Sequence, residues 1–203
     1  MITLHHLRIG RSLFTVWQLE ELSADYDLKV YLRDANFRAP AELKEIHPLG
    51  KSPVIEEGGL VLSESGAITS YLLEKFDAQN RFAPPRGDLA AWAKFSQWLH
   101  YPEGSVFAPL LINMLLARGG EHEGLASFST KEISLHLAHI ASQLGENDYI
   151  LGHDFSAADF GIAYVVSLAD RLGQLEAYPS LKQYLARCTQ RPAFARAVEK
   201  AVE

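Results

Sequence analysis

The sequence predicts a two-part molecule, a small mixed α/β unit followed by an all-helical one. Three observations predict it: short strand-like and helix-like pieces alternate up to residue 79, a double proline stands in RFAPPRGD at residues 81–88, and helical periodicity runs almost unbroken beyond it.

Taken in order, Ile2 to His6 is expected as a strand and Ser12 to Leu22 as a helix, with Leu13, Val16 and Trp17 on one face. Leu28, Val30 and Leu32 alternate with Lys29 and Tyr31, which predicts a second strand with one buried face. A short helix is expected in AELKEIH. Val54-Ile55 and Leu60-Val61-Leu62 flank EEGG, an antiparallel hairpin in which paired glycines accept the positive φ of a tight turn. Glu64 to Phe76 closes this half as an amphipathic helix.

Consecutive prolines extend neither a helix nor a central strand, so the boundary falls in RFAPPRGD. The expected domains are 1–79, a linker at 80–87, and a helical domain at 88–203. Within the latter the pattern predicts helices from Leu89 to about Arg118, bent or broken near Pro102 and Pro109, then Lys131 to Leu144, Ala157 to Leu172 and Leu181 to Thr189, with a last turn or two after Pro192. Ser156-Ala157-Ala158-Asp159 reads as a capping box with Ser156 as N-cap, and Phe155 and Phe160 stand at the positions of a hydrophobic staple.

Composition narrows the function. With 48% hydrophobic and 22% charged residues the chain reads as an ordinary globular protein. A net charge of −6 with scattered Lys and Arg argues against nucleic acid as a partner. No apolar run is long enough to span a bilayer and no secretory signal is apparent, so the expected location is the cytoplasm, with no membrane partner. The single cysteine, Cys188, excludes an internal disulfide, a CxxC pair and a cysteine-based zinc site, and its helical context suits a buried thiol. His136 and His139 share a helix face without a carboxylate-rich partner segment, so no metal is expected.

Three segments carry the candidate chemistry. In HPLGKSPVI, residues 47–55, proline at the start of a strand removes a ladder donor, and a cis Ser52-Pro53 bond would turn the groups of Ser52 outward for an extended ligand. In LSESGAITSYL, residues 62–72, a helix start would hold a carboxylate while Glu64 meets an ammonium group, unless Ser63 is only a helix cap. In the opening turn, HHLRIGRS, the strand gives way to a helix at Gly10-Arg11-Ser12. His5 and His6 alternate to opposite faces of their strand, and at least one is read as structural.

Together with WLHYPEGSVFAPLL at 98–111, ILGHDFSAADF at 150–160 and RPAF near the end, these segments in this order resemble the cytosolic glutathione transferase family, and most of all its bacterial and fungal members with a serine-containing turn before the first helix. The resemblance covers the full chain. It implies a thioredoxin-like glutathione-binding domain, an all-helical domain lining an electrophile site, glutathione as co-substrate and a homodimer. By that resemblance Ser52, before Pro53, pairs with the cysteinyl part of glutathione, Glu64 and Ser65 hold the γ-glutamyl head, and Lys51 faces the glycyl carboxylate. Trp98, Tyr101 and Phe107 either line the pocket for the electrophile or simply pack.

The thiol must be ionised to react, and a hydroxyl, a cation or a helix N-terminus each favours the thiolate. The related turns place serine where this chain has Gly10. That leaves Ser12, which either caps the helix or contacts the thiolate, and Arg11, a permanent cation. The reading is a glutathione transferase that conjugates the thiolate to small hydrophobic electrophiles. The alternatives are a glutathione-dependent peroxidase or disulfide reductase, and a noncatalytic binding or stress-response protein of the same fold.

Overall fold

Ile2–Leu7 forms β1, with Ile2, Leu4 and His5 to Leu7 buried. In the computed structural model, which describes residues 1–120 and 122–202, β1 lies in a four-stranded sheet of order β2-β1-β3-β4. Tyr26–Tyr31 (β2) runs parallel to β1, so a crossover is needed, and Ser12–Glu21 (α1) supplies it. Val54–Glu57 (β3) and Leu60–Ser63 (β4) are antiparallel, joined by Gly58 and Gly59 at φ +56° and +88°. The hairpin is the one EEGG predicts. Between β2 and β3 lies Leu43–Ile46 (α2), and Ser65–Phe76 (α3) follows β4.

One strand departs from expectation. Val30 is exposed and Leu32 lies beyond the end of β2, 62% exposed, so the alternating apolar residues do not form a buried face. An edge strand has only one neighbour to bury against, and here Leu28 alone of the three is half-buried.

The chain divides into Met1–Arg81 with Gln190–Glu203, and Phe82–Thr189. The expected helical domain of 88–203 is therefore corrected at its end, although its last residue, Glu203, lies outside the described residues. The terminal helix, Pro192–Ala201 (α9), is more than a last turn or two, and it packs on α1 in the first unit. Arg191 grips Glu21 with two bonds of 2.6 and 2.9 Å, while Glu20 takes Arg196 at 3.0 Å, Lys200 at 2.6 Å and the Tyr26 hydroxyl at 2.8 Å. Phe194 sets its edge against Trp17, which is fully buried. Sequence periodicity shows that a helix has an apolar face and does not say which unit receives it.

In the second unit, Leu89–Tyr101 (α4) starts at Asp88, whose carboxylate accepts the Ala91 N–H. A π-helical turn at Pro102–Val106 joins it to Phe107–Leu116 (α5). The interruption expected at Pro102 is present, whereas Pro109 sits buried inside α5 without breaking it. Glu123–Leu144 (α6) begins well before Lys131, because the His122 ring accepts the Leu125 N–H and caps it. Ala158–Arg171 (α7) and Pro179–Thr189 (α8) complete the unit, and Cys188 is buried in α8.

The predicted box at the start of α7 forms in part. Asp159 accepts the Ser156 N–H at 2.8 Å, as a box requires, but the Ser156 hydroxyl donates to the same carboxylate at 2.9 Å instead of capping. Ala157 takes the N-cap position. Asp159 also accepts the Ile150 N–H and the Tyr184 hydroxyl, both at 2.9 Å, and becomes the polar centre of the unit. Burial pushes its carboxyl above the usual range against these four donors. Phe155 and Phe160 meet edge to face, 5.2 Å between centroids, as the staple predicts.

Candidate active site

Strand register brings the three chemical segments to one end of the sheet. His5 pairs with Val54 and Val54 with Ser63, so a single row crosses β1, β3 and β4. Just outside that row stand the opening turn, the Ser52–Pro53 peptide, which is cis, and Glu64–Ser65 at the start of α3.

Leu7, at the end of β1, is the joint. Its N–H is shared by two hydroxyl oxygens, Ser52 Oγ at 3.0 Å and Ser12 Oγ at 3.1 Å. Ser52 Oγ in turn donates to the His5 carbonyl at 2.7 Å. The side chain of Ser52 is thus committed to β1 and does not face outward; what it can offer a ligand is its backbone.

Ser12 is fully buried. Its hydroxyl lies 2.9 Å from His6 Nδ1 and 3.3 Å from the Leu7 carbonyl. The capping role expected of Ser12 is not what the structure shows. The N-cap position belongs to Arg11, which is half-buried and makes no side-chain cap bond, and the Ser12 hydroxyl is enclosed with strand and histidine. His6 faces α1, and His5 faces the other side of the sheet. There Tyr31 OH is 2.8 Å from His5 Nδ1 and Glu56 2.7 Å from Nε2. The carboxylate can only accept, so Nε2 donates to Glu56. Burial, then Glu56, Glu42 and Glu45, push the Tyr31 phenol up. Both histidines are buried and engaged by side chains of the first unit.

The turn itself is strained. Ile9 has φ +55°, a conformation that costs a β-branched residue on the order of 1–3 kcal/mol. Gly10 follows, and a Cβ there would stand 2.8 Å from the Leu7 carbonyl oxygen and 3.3 Å from Arg33 Nη2. Glycine at this position is required by the packing of the turn. Arg33, which sequence reasoning missed, donates to the carbonyls of Arg8 at 3.1 Å, Ile9 at 2.8 Å and Phe37 at 3.1 Å. No local signal distinguishes it from other arginines, since its partners lie mostly in a distant segment.

At the third segment, Glu64 occupies the N-cap position of α3 with φ +71°, its carbonyl accepting from Ile68 N–H at 2.9 Å and its side chain exposed. Ser65 is the first helical residue and half-buried. Ser63 is therefore not the cap. Its hydroxyl is 3.3 Å from His47 Nε2, and Gly50 N–H bonds the His47 carbonyl at 2.8 Å. His47 thereby ties the loop carrying Lys51 and Ser52 to the approach of α3, a role the sequence did not disclose. Lys51 is exposed and Pro53 buried.

Within the helical unit, Trp98 is 1% exposed, stacked on His139 and edge-on to Tyr101. Its indole is enclosed and packs against these rings. Tyr101 is half-buried with its hydroxyl 2.6 Å from His136 Nδ1, and Phe107 lies 6.0 Å from Tyr164 between ring centroids. Burial lowers the His136 pKa, with Glu132 opposing and His139 assisting, and burial raises that of Tyr101. Among the described residues no group of three or more His, Cys, Asp or Glu is placed to hold a metal, and no helix is long and apolar enough to cross a membrane.

A mixed sheet of order β2-β1-β3-β4, with a proline-led β3 and the start of α3 at one end, defines a thioredoxin-like unit, here accompanied by a helical unit. The family pattern for the glutathione S-transferase N-terminal domain matches residues 1–74, and that for its C-terminal domain matches residues 115–187. The chain belongs to the glutathione S-transferase family. It is 34% identical to glutathione S-transferase 3 of Schizosaccharomyces pombe, across 98% of this chain and 88% of that protein, and 31% identical to glutathione S-transferase 1 of Saccharomyces cerevisiae, across 99% and 95%. Among solved structures, a glutathione S-transferase from Actinobacillus pleuropneumoniae is 34% identical with a TM-score of 0.91, covering 100% of this chain and 93% of that one.

Proposed function

We propose that this protein is a transferase that binds glutathione at the end of its sheet and moves the glutathione thiolate onto a small hydrophobic electrophile. The observation that carries the proposal is the convergence of the opening turn, Ser52–Pro53 and Glu64–Ser65 on the row His5, Val54, Ser63. The names of the yeast relatives agree with it, and a structure of the same fold from a sphingomonad is described as a complex with glutathione.

Each group has a chemical task. The backbone of Ser52 pairs with the cysteinyl residue, as a strand edge pairs with an extended peptide. The N-terminus of α3 with Ser65 receives the γ-glutamyl carboxylate, and Glu64 meets its ammonium. Lys51 faces the glycyl carboxylate as a flexible cation. At the turn, Arg11 and the start of α1 favour the sulfur anion. The thiolate then forms a carbon–sulfur bond while a leaving group departs with its electron pair, or while a double bond takes up the pair and a proton. Tyr101 and Phe107 remain candidates for the electrophile side. The protein works as a homodimer in the cytoplasm.

Calorimetry with glutathione, followed by conjugation of a chloronitroaromatic acceptor, tests this reading. Absence of glutathione binding would overturn it. One observation favours a second reading: Gly10 and the enclosed Ser12 leave the turn without an outward hydroxyl, which suits glutathione-dependent disulfide reduction. Turnover of a mixed disulfide without conjugation would establish that alternative.

A further inference from the structure

The segment after β2 is built around one side chain. Asp34 Oδ1 accepts the N–H groups of Asn36 and Arg38, both at 2.8 Å, and the Asp34 N–H bonds the Arg38 carbonyl at 2.9 Å. This closed loop places Phe37 at φ +62°, its ring 5.8 Å from the Arg33 guanidinium and its carbonyl against Nη1. What remains of the planar fork points at the opening turn, where Nε and Nη2 take the carbonyls of Arg8 and Ile9.

A trans peptide sets each carbonyl opposite to the N–H that follows it. Anchoring the carbonyls of Arg8 and Ile9 on Arg33 therefore turns the N–H groups of Ile9 and Gly10 away from the guanidinium. It also covers two partial negative charges with a cation next to a site meant for an anion. The same anchoring holds Ile9 in its left-handed conformation, whereas a Cβ at position 10 is excluded first by the Leu7 carbonyl oxygen at 2.8 Å, with Arg33 Nη2 next at 3.3 Å.

We infer that Arg33 is a positioning residue for thiolate formation, fixing the Arg8–Gly10 peptides so that the turn presents the Gly10 N–H to the sulfur. The inference rests on the transferase reading above. Arg33 acts through the backbone of the turn and is not itself a catalytic group.

The test is an ultraviolet titration of the glutathione thiol bound to the parent, to Arg33→Met and to Arg33→Lys, with affinity measured by calorimetry. In Arg33→Met the thiol pKa should rise by about one unit, with a roughly tenfold fall in kcat at neutral pH and a change in the KM for glutathione of no more than about threefold. Arg33→Lys keeps the charge without the fork, cannot serve both carbonyls in one plane, and should shift the pKa in the same direction. Should Arg33→Met fail to fold, the lysine variant decides. A parent that does not bind glutathione overturns the transferase reading and this inference with it. A parent that binds and ionises the thiol, with either folded variant matching its pKa, overturns this inference alone.

Discussion

Ser12 Oγ lies 2.9 Å from His6 Nδ1 in a fully buried pair, so the one hydroxyl that the opening turn supplies is held inside the first unit. It shares the Leu7 N–H with Ser52 Oγ and thereby joins the turn to the proline-led strand. Ser12→Ala should therefore act on stability, at a cost of about 1–3 kcal/mol for leaving buried partners unsatisfied. Chemical denaturation measures that loss, and the pKa of bound glutathione in the same variant should match the parent.

Gly10→Ser would restore the residue that related turns carry, yet it should not restore a hydroxyl to the chemistry. Its Cβ would meet the Leu7 carbonyl oxygen at 2.8 Å, and backbone cannot swing aside as a flexible side chain can. The expected result is a stability loss of about 1–3 kcal/mol from overpacking, with weaker glutathione binding. A gain in conjugation rate would contradict the geometry.

The clamp of α9 on α1 should be sensitive to acid. Burial acts to raise the Glu20 pKa, but the bonds from Lys200, Tyr26 and Arg196 outweigh it and the net value falls below the ordinary 4.5. A lowered carboxylate pKa gives stability that is present above the unfolded value and lost as pH drops through the folded one. Acid unfolding below about pH 4.5 should thus begin with detachment of α9, followed by hydrogen exchange in residues 190–202. Glu20→Gln should cost about 1–2 kcal/mol at neutral pH, a modest sum because its cationic partners are half exposed.

His136 should impose a second pH dependence on the helical unit. Burial holds it below its ordinary 6.5, so as pH falls below that value the unfolded chain binds more protons than the native one and stability drops. Denaturant midpoints followed from about pH 8 to pH 5 should show the decline. His136→Gln, which can still accept from Tyr101, should flatten it at a cost of about 0.5–1.5 kcal/mol for the altered bond.

Much of this molecule is legible in sequence because its signals are local. EEGG specifies its own turn, Ser156 to Asp159 specifies half of a capping box, Pro102 marks a real interruption, and HPLGKSPVI and ESGAI mark two of the three segments that meet at the sheet end. The order of these pieces was enough to predict the fold and the family. Four matters were decided only by tertiary structure: that Ser12 turns inward, that Trp98 is enclosed, that α9 leaves the helical unit for α1, and that Arg33 reaches back across the sheet to the turn at Gly10. The last three depend on contacts between residues far apart in the chain, and the first on a turn folding back on His6 and Leu7; in each, side-chain direction and available space, rather than residue type or period, choose the partner.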